Sequence, residues 1–170
     1  MAIIYCSGKL STLLGIPKKS KDHSTAAVDP HSWNAMLFYL NKSKCLLFMH
    51  KQTLYTFLVL DIVKKDLYDF PKFFRQHFTD QLLADQLINP RSKALMDSAY
   101  ESIVFMDTDN DKRIIGSMND CIFRIRYYDS HKDTLTLSPT FIGNKLNRTP
   151  MKPVGYAYPV EKMKEFINQQ

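Results

Sequence analysis

Residues 33–60 read WNAMLFYLNKSKCLLFMHKQTLYTFLVL, three apolar runs separated by two short polar segments. The runs span residues 33–40, 45–49 and 54–60. They are rich in the aromatic and branched side chains that pack well on a pleated sheet. The polar residues 41–44 suit a hairpin connection, and residues 50–52 lead into the third run. We therefore predict that this part of the chain forms an antiparallel β meander.

Both faces of the predicted strands are apolar, as residues 46–48 (LLF) and 57–60 (FLVL) illustrate. A sheet with two apolar faces has to be covered on both sides, and helices supply such layers. One helix is predicted to follow Asp69, which suits the N-cap position, with Pro71 tolerated in the first turn. Phenylalanine and leucine residues recur there at helical spacing as far as Leu87. This helix would form one of the covering layers.

Further strands and helices are predicted on either side of these elements. Residues 2–6 form a β-branched and aromatic run, and residues 9–14 carry leucines at helical spacing. Residues 91–100 are interpreted as a helix that precedes a strand at residues 102–106. The predicted fold class is α+β: an antiparallel meander or sheet covered by helices, with a proline-containing C-terminal extension.

The acidic segment DTDND at residues 107–111 resembles the start of a calcium-binding loop. However, Lys112 stands where that loop needs glycine, and Met118 stands where it needs a bidentate glutamate. Aspartate and asparagine are also frequent turn formers. We therefore reject the calcium motif, interpret the segment as a hairpin turn that leads into a strand at residues 114–115, and predict no bound metal or cofactor.

The sequence GSMND at residues 116–120 is typical of a helix start. Ser117 suits the N-cap, and Asp120 three residues later completes a capping box and complements the helix dipole. The helix would run to about residue 128 and bury Met118, Cys121, Ile122 and Ile125. Alternatively, backbone N–H groups at this start bind an anion such as phosphate, with Arg113 nearby, although Asp120 competes for that position. Arg113, Ser117, Asn119 and Asp120 are therefore candidate binding residues.

His31 and Trp33 form a second candidate binding position. They are two residues apart in an extended segment, so both side chains could point to the same side. An indole beside an imidazole can stack on a base or a nucleoside. The structural alternative is that Trp33 anchors the core while His31 ends the strand. The sequence leaves both interpretations open.

Composition predicts one compact unit. The chain has 170 residues, 45% of them hydrophobic, which suffices for a core without a disulfide or metal. Residues 1–128 are predicted to form a single domain, and residues 129–170, with prolines at 139, 150, 153 and 159, to form an extension packed on it. The three cysteines are far apart and lie in apolar runs, so a reducing cytoplasm is the expected location. No membrane span or signal peptide is predicted.

The formal net charge of +6 is concentrated at the two ends of the chain. Residues 1–50 carry six Lys and two Asp, a net +4, and residues 131–170 carry six Lys or Arg and three Asp or Glu, a net +3. Basic clusters occur at Lys18, Lys19 and Lys21 and at Lys145, Arg148 and Lys152. Such clusters either form an ordinary solvated surface or meet a nucleic-acid backbone or an acidic protein. A protein or nucleic-acid partner is therefore predicted, while the oligomeric state is left open.

Three phrases resemble an uncharacterised bacterial family of domains of unknown function. They are HSWN at residues 31–34, KCLLF at 44–48 with TLY at 53–55, and RIIGSMND at 113–120. The resemblance covers roughly residues 1–128. It implies a common fold unit and a bacterial or mobile-element origin, and it implies no reaction.

No recognisable catalytic motif accompanies these features. Ser117 lacks the flanking glycines of a nucleophile elbow, and Cys45 lies in an apolar strand where a thiol is usually inert. We therefore expect a non-catalytic binding module. The alternative is a metal-dependent phosphodiesterase or nuclease, which would require the fold to bring His31 close to the aspartates of residues 107–111 and to Asp120.

Overall fold

A computed structural model describes residues 1–17, 29–89, 93, 98–131 and 138–169. One sheet contains the strands β1 (Ala2–Cys6), β2 (Ser32–Leu40), β3 (Ser43–His50), β4 (Thr56–Val59) and β5 (Ile103–Asp107), in the order β4-β3-β2-β1-β5. The described helices are α1 (Gly8–Leu14), α2 (Phe70–Ala84), α3 (Lys112–Ser130), α4 (Pro139–Asn147) and α5 (Pro159–Asn168). Short 3-10 turns occur at Lys64–Leu67 and Lys152–Val154.

The predicted meander is confirmed. β2 pairs antiparallel with β3, and β3 pairs antiparallel with β4. The connection between β2 and β3 is shorter than predicted, because Leu40 already pairs with Ser43. The two linking residues, Asn41 and Lys42, have φ values of 45° and 71°. Two consecutive positive φ values are typical of the tight turn whose twist matches that of a hairpin.

The prediction of an antiparallel sheet is wrong for its other half, so the sheet is mixed. β1 lies parallel to both β2 and β5, with Ile4 beside Trp33 on one side and Phe105 on the other. A strand's residues indicate its burial and not the direction of its neighbours. The chain order gives a better indication, since β1 is followed by α1 before β2, the arrangement of a parallel crossover unit.

Two hydrophobic cores lie on opposite faces of the sheet, as the apolar faces predicted. The first core joins the sheet to α1, α2 and α5, and Trp33, Phe74 and Phe78 form its centre. The second core joins the other face to α3 and α4 through residues such as Met118 and Leu146. Each fully buried aromatic or aliphatic side chain contributes about 1.5–3 kcal/mol to folding.

Helix α2 begins where the sequence predicted. Asp69 is its N-cap and accepts a hydrogen bond from the backbone amide of Lys72 at 3.2 Å. The helix ends at Ala84, earlier than the predicted Leu87, and Gln86 follows with a φ of 61°. The helix predicted for residues 91–100 lies mostly outside the described residues.

The hairpin predicted after β5 is wrong, and so is the helix start at Ser117. Asp111 is the N-cap of α3 and accepts hydrogen bonds from the amides of Arg113 and Ile114 at 3.0 and 3.3 Å. Ser117 lies inside the helix and donates to the carbonyl of Arg113 at 3.0 Å. β5 is parallel to β1, so the chain leaves it in a helix and not in a hairpin. Asp111 is the acidic residue that directly precedes the helix, and aspartate is one of the residue types favoured at the N-cap position.

Asp85 connects α4 to α2 and to the meander. The Asp85 side chain is 0% exposed, and its carboxylate is surrounded by donors from several parts of the chain. The donors are the Tyr55 hydroxyl at 2.7 Å, Gln81 Nε2 at 3.1 Å, Asn144 Nδ2 at 2.7 Å, Asn147 Nδ2 at 3.0 Å and Arg148 Nη1 at 2.7 Å. A buried carboxylate is tolerated only when it is paired and hydrogen-bonded in this way.

The C-terminal residues take part in both cores. Leu146 and Met151 lie in the second core, whereas Met163 and Phe166 lie in the first. Helix α3 crosses the boundary predicted at residue 128, and the division into a domain and an extension stays a prediction. None of the described helices combines the length and apolarity that crossing a bilayer requires.

Candidate binding surface on helix α3

Helix α3 is amphipathic, and its inner face is buried in the second core. Met118, Cys121, Ile122 and Ile125 are all buried, as the sequence predicted. The opposite face of the helix is exposed, and residues three or four apart on it are neighbours. The outer face therefore presents a continuous row of side chains to any partner.

A groove runs between this outer face and the segment that follows α4. It encloses about 400 Å³ and is referred to below as the α3 groove. Its walls are Arg113, Gly116, Ser117, Asp120 and Arg124 of α3, residues 149–153, and Tyr156. Three of the residues predicted to bind a partner, Arg113, Ser117 and Asp120, thus lie together.

The second wall of the α3 groove is held in place by a tight turn. Met151 donates its backbone amide to Ala157 at 3.1 Å, and Tyr156 donates its amide back to the Met151 carbonyl at 3.0 Å. Gly155 and Tyr156 both have positive φ values, 69° and 61°. The Met151 side chain is 9% exposed and belongs to the second core. These contacts fix the wall relative to the sheet.

The α3 groove carries a positive charge. Arg113, Arg124 and Lys152 supply three cations and Asp120 one carboxylate, so the net charge is 3 − 1 = +2. Arg113 is held by a hydrogen bond from Nη2 to the Lys51 carbonyl at 2.7 Å. Within the described ranges, Arg124 and Lys152 form no ion pair. Both can therefore pair with an anionic partner without losing an internal contact.

A second groove of about 460 Å³ continues along α3 and shares Asp120 and Arg124 with the first. It adds Phe123, which is 74% exposed, and Tyr127, which is 55% exposed. Tyr156 of the first groove is 66% exposed. Phe123 and Tyr127 line the same groove, and grouped exposed aromatic side chains are more informative about binding than single ones. We call the two grooves together the α3 surface.

The other residues predicted to bind a partner are Asn119, Trp33 and His31. None of them lines the α3 surface. Asn119 is exposed on α3 but does not line either groove. Trp33 is 0% exposed, and its Nε1 donates to the Tyr100 hydroxyl at 3.3 Å. Rings of His50, Phe57, Phe74, Phe78 and Tyr100 surround it at centroid distances between 4.9 and 6.3 Å. In this conformation the indole anchors the first core.

His31 lies at the start of β2 and away from the α3 surface. Its ring makes edge contacts with Tyr100 and Phe166, at centroid distances of 5.4 and 5.5 Å. Its Nδ1 is also 3.4 Å from the Tyr100 hydroxyl. His31 and Trp33 thus both contact the Tyr100 hydroxyl, and neither of them lines the α3 surface.

The loop between β5 and α3 forms a polar cluster with β2 and β3. Asp109 accepts hydrogen bonds from Lys51 Nζ and from Asn34 Nδ2, the latter at 3.2 Å. Burial raises the pKa of Asp109, but the hydrogen bonds from Lys51, the Asp111 amide and Asn34 outweigh it and lower the pKa below its ordinary value. Asp109 is therefore an ionised partner of Lys51 at neutral pH.

The histidine and aspartates considered for a metal site have separate roles. Asp111 caps α3, and Asp120 lies nine residues further along the same helix, about 13 Å at 1.5 Å per residue. His31 packs against aromatic rings. In the part of the chain that the structure describes, no group of three or more His, Cys, Asp and Glu side chains is arranged to hold a metal ion. The hydrolase alternative stays a prediction from the sequence alone.

The three cysteines are free and buried. Burial, followed by the negative charge of Asp107, raises the pKa of Cys6 to about 12. Burial also raises the pKa of Cys121 to about 12 and that of Cys45 above its ordinary value. A thiol with a raised pKa is protonated at neutral pH and is a weak nucleophile.

The aromatic part of the α3 surface was not among the binding residues predicted from the sequence. Phe123 and Tyr127 are spaced four residues apart and alternate with the buried residues of α3. Both positions lie within the helix predicted to run to about residue 128, so this spacing already placed them opposite the residues predicted to be buried. No comparable signal identifies Tyr156, because the turn that exposes it depends on tertiary contacts with Met151.

Comparison with known proteins identifies a family and not an activity. No curated protein and no solved structure matches the chain. The model of a family described as "Domain of unknown function (DUF6933)" matches residues 3–162. This confirms the resemblance to a family of unknown function, and the match extends beyond residue 128 to include α4 and the turn that walls the α3 groove. The chain belongs to the DUF6933 family of domains.

Proposed function

We propose that this protein is a binding module that holds a single-stranded nucleic acid along the α3 surface. The observation that carries the proposal is that Arg124 lines both the groove that contains Arg113 and Lys152 and the adjoining groove that contains the exposed rings of Phe123 and Tyr127. Proteins that bind single strands combine a cationic groove, which follows the phosphates, with aromatic side chains on which bases stack. The α3 surface supplies both elements, with Lys152 contributed by the turn that forms the opposite wall.

The dimensions of the surface agree with this role. Arg113 and Arg124 are eleven residues apart on one helix, which corresponds to about 16 Å along its axis. Lys152 faces them from the opposite wall of the α3 groove. Phosphates bound between these cations would leave the bases directed along the helix towards Phe123 and Tyr127. Base stacking on such rings tolerates any sequence, because every base has a π-face.

Charge favours a polyanion over a protein partner. Tyrosine and arginine are also frequent at the centre of protein interfaces. Such interface centres are depleted of other charges, however, whereas the α3 groove has a net +2 and the whole chain a net +6. The charge excess supports a phosphate backbone as the partner. A protein partner is one of the outcomes that the experiment below can return.

Binding without chemical turnover is the second part of the proposal. The buried thiols have raised pKa values, and the Ser117 hydroxyl is committed to the Arg113 carbonyl. Neither group is therefore prepared to attack a phosphodiester bond. These observations support a module that holds a strand and leaves it intact.

Fluorescence anisotropy with labelled single strands of DNA and RNA, about 12 nucleotides long, tests the proposal. Arg124→Glu and Tyr127→Ala should each weaken binding by tenfold or more, because each removes a direct contact. Arg126→Glu is the matched charge control, since Arg126 is exposed on the same helix but lines neither groove. Tyr68→Ala is the matched aromatic control, because Tyr68 is 80% exposed outside the α3 surface.

The controls decide how the result is interpreted. Loss of binding in Arg124→Glu and Tyr127→Ala, with near wild-type binding in both controls, would support the α3 surface. Equal losses in Arg124→Glu and Arg126→Glu would indicate general attraction to the positive charge of the protein and would contradict the proposal. Absence of binding to any strand would overturn it and direct the search to a protein partner.

A further inference from the structure

A separate crevice lies at the carboxyl ends of β1 and β5, away from the grooves described above. It encloses about 240 Å³. Its lining residues are Tyr5, Ser7, Gly8, Asn34, Ala35, Met36, Thr108, Asn110, Ile115 and Met118. None of these residues carries a formal charge at neutral pH, and none lines the α3 surface. The crevice therefore differs in chemistry from the cationic grooves on the outside of α3.

The topology of the sheet creates this crevice. β1 and β5 are adjacent and parallel, so their carboxyl ends lie side by side. The helix after β1 packs on one face of the sheet, with Leu10 in the first core. The helix after β5 packs on the other face, with Ile114 in the second core. Ligands of open α/β sheets bind at such a point, where neighbouring strands send their connections to opposite faces.

Asn34, which lines the crevice, carries one buried polar atom without a partner among the described residues. Asn34 is 4% exposed, and its Nδ2 donates to Asp109 Oδ1 at 3.2 Å. No donor in the described residues reaches its Oδ1. A buried carbonyl oxygen without a hydrogen bond costs about as much free energy as a lost bond, and most such atoms in proteins are satisfied. A bound N–H group would supply the missing donor.

The remaining polar groups can both donate and accept. Ser7 Oγ accepts a hydrogen bond from the Leu37 amide at 3.4 Å, and Thr108 Oγ1 accepts one from the Asn110 amide at 3.1 Å. Each hydroxyl keeps its own hydrogen for donation. Met36 and Met118 provide polarizable thioether groups that pack well against aromatic rings. Together these groups suit a flat, neutral ring with a polar edge.

We propose that the crevice binds a nucleobase, with an N–H group of the base donating to Asn34 Oδ1 and the ring packed against Met36. The uncharged lining disfavours phosphate, carboxylate and ammonium groups inside the crevice. Its volume is below the roughly 300 Å³ of the smallest typical drug-sized sites, so it accepts one ring system and leaves a sugar outside. The base can come from a free nucleoside or from an unstacked position in a strand.

Nuclear magnetic resonance of the full-length ¹⁵N-labelled protein tests the proposal. Adenosine, guanosine, cytidine and uridine are titrated separately, and the backbone amides of Gly8 and Ala35 report on the crevice. At least one nucleoside should shift both signals in a saturable manner. Asn34→Leu, which removes the unpartnered oxygen, should weaken that binding about tenfold or more.

Two further variants keep the result interpretable. Asn119→Leu, the same substitution at an exposed position of α3 that does not line the crevice, is the matched control, and affinity should stay within about twofold. Gly8→Leu adds a bulky side chain at a lining position where a Cβ meets no atom within 4 Å, so the fold should tolerate it, and it should weaken nucleoside binding by narrowing the crevice. If Asn34→Leu does not fold, Gly8→Leu still decides the question.

The outcomes distinguish a base of a free nucleoside from a base of a strand. They also distinguish binding in the crevice from binding on the α3 surface. Shifts produced only by a single strand, and lost in Gly8→Leu, would support the site with the base supplied by nucleic acid. Nucleoside binding that persists in Arg124→Glu would support a crevice that acts independently of α3. Absence of any shift with all four nucleosides and with the strand, or unchanged binding in both Asn34→Leu and Gly8→Leu, would overturn the proposal.

Discussion

The side-chain amide of Asn147 pairs with both backbone groups of Thr56. Its Oδ1 accepts from the Thr56 amide at 2.8 Å, and its Nδ2 donates to the Thr56 carbonyl at 2.9 Å. β4 is an edge strand, so these groups face no further strand. The side chain of α4 thus takes the place of a neighbouring strand and protects an edge that could otherwise pair with another chain.

Replacing Asn147 is expected to destabilise the protein strongly. Asn147→Ala leaves the Thr56 amide and carbonyl buried without partners and removes a donor from Asp85. We expect a loss of about 2–4 kcal/mol in the free energy of unfolding. Urea denaturation measures this value. Asn119→Ala, at an exposed position of α3, is the control and should change stability by less than about 0.5 kcal/mol.

The close approach of α2 and α4 at Gly143 gives a second prediction. A Cβ at Gly143 would lie 2.1 Å from Gln81 Oε1. Gln81 cannot easily move, because its Nε2 donates to Asp85 and to the Thr140 carbonyl, each at 3.1 Å. Gly143→Ala should therefore lower the free energy of unfolding by about 1–3 kcal/mol.

The control for that prediction lies in another helix. A Cβ at Gly116 meets no atom within 4 Å, so Gly116→Ala in α3 should be neutral or stabilise by up to about 1 kcal/mol. Thermal unfolding of both variants distinguishes them. Equal melting temperatures would show that Gln81 yields without cost and would contradict the account of the α2–α4 contact.

His50 should make stability depend on pH in the mildly acidic range. Its side chain is 0% exposed, with Nε2 2.8 Å from the Pro30 carbonyl and Nδ1 3.0 Å from Thr53 Oγ1. Burial lowers the pKa of His50 to about 4, and the nearby His31 lowers it further against the opposing effect of the Pro30 carbonyl. His50 is therefore neutral in the folded protein at pH 7.

The sign of the effect follows from this lowered pKa. Below pH 6.5 the unfolded chain protonates His50 while the folded protein does not, so stability falls as the pH decreases towards 4. The loss attributable to His50 should approach roughly 3 kcal/mol at pH 4. Urea denaturation between pH 7.5 and pH 4 measures it. His50→Gln should flatten the pH dependence, and an unchanged profile in that variant would assign it to other groups.

The single tryptophan distinguishes the two roles considered for Trp33. Because the indole is 0% exposed and enclosed by rings, its fluorescence should resist acrylamide quenching in the folded state. It should also stay unchanged when single-stranded nucleic acid binds. Strong quenching by a bound strand would instead support base stacking on Trp33.

The sequence predicted local elements well and their tertiary relations poorly. The meander, α2 and β5 follow from continuous apolar runs or helical apolar patterns, which are local properties of the chain. The parallel pairing of β1 could not be derived in the same way, because it joins Ile4 to Trp33 and to Phe105, far away in the chain. The apolar pattern of a strand indicates whether the strand is buried. Which strand it pairs with, and in which direction, depends on the packing of the whole sheet.

The candidate site was predicted in part. Arg113, Ser117 and Asp120 were selected as a helix start, yet they share the α3 groove because they follow one face of a longer helix. His31 and Trp33 were selected for their chemistry, but the indole lies at the centre of the first core.

Lys18, Lys19 and Lys21 of the basic N-terminal cluster lie outside the described residues. Of the C-terminal cluster, Arg148 pairs with the buried Asp85, whereas Lys152 lines the α3 groove.

The salt dependence of single-strand binding tests the central claim most directly. Each phosphate contact contributes about −0.7 to the slope of log affinity against log salt concentration, so three cations in the α3 groove predict a slope of about −2. The double variant Arg124→Glu/Lys152→Glu should bind more weakly, with a slope of about −0.7, while Arg126→Glu keeps the wild-type slope. Equal slopes for the wild type and the double variant would contradict the assignment of the α3 surface as the nucleic-acid site.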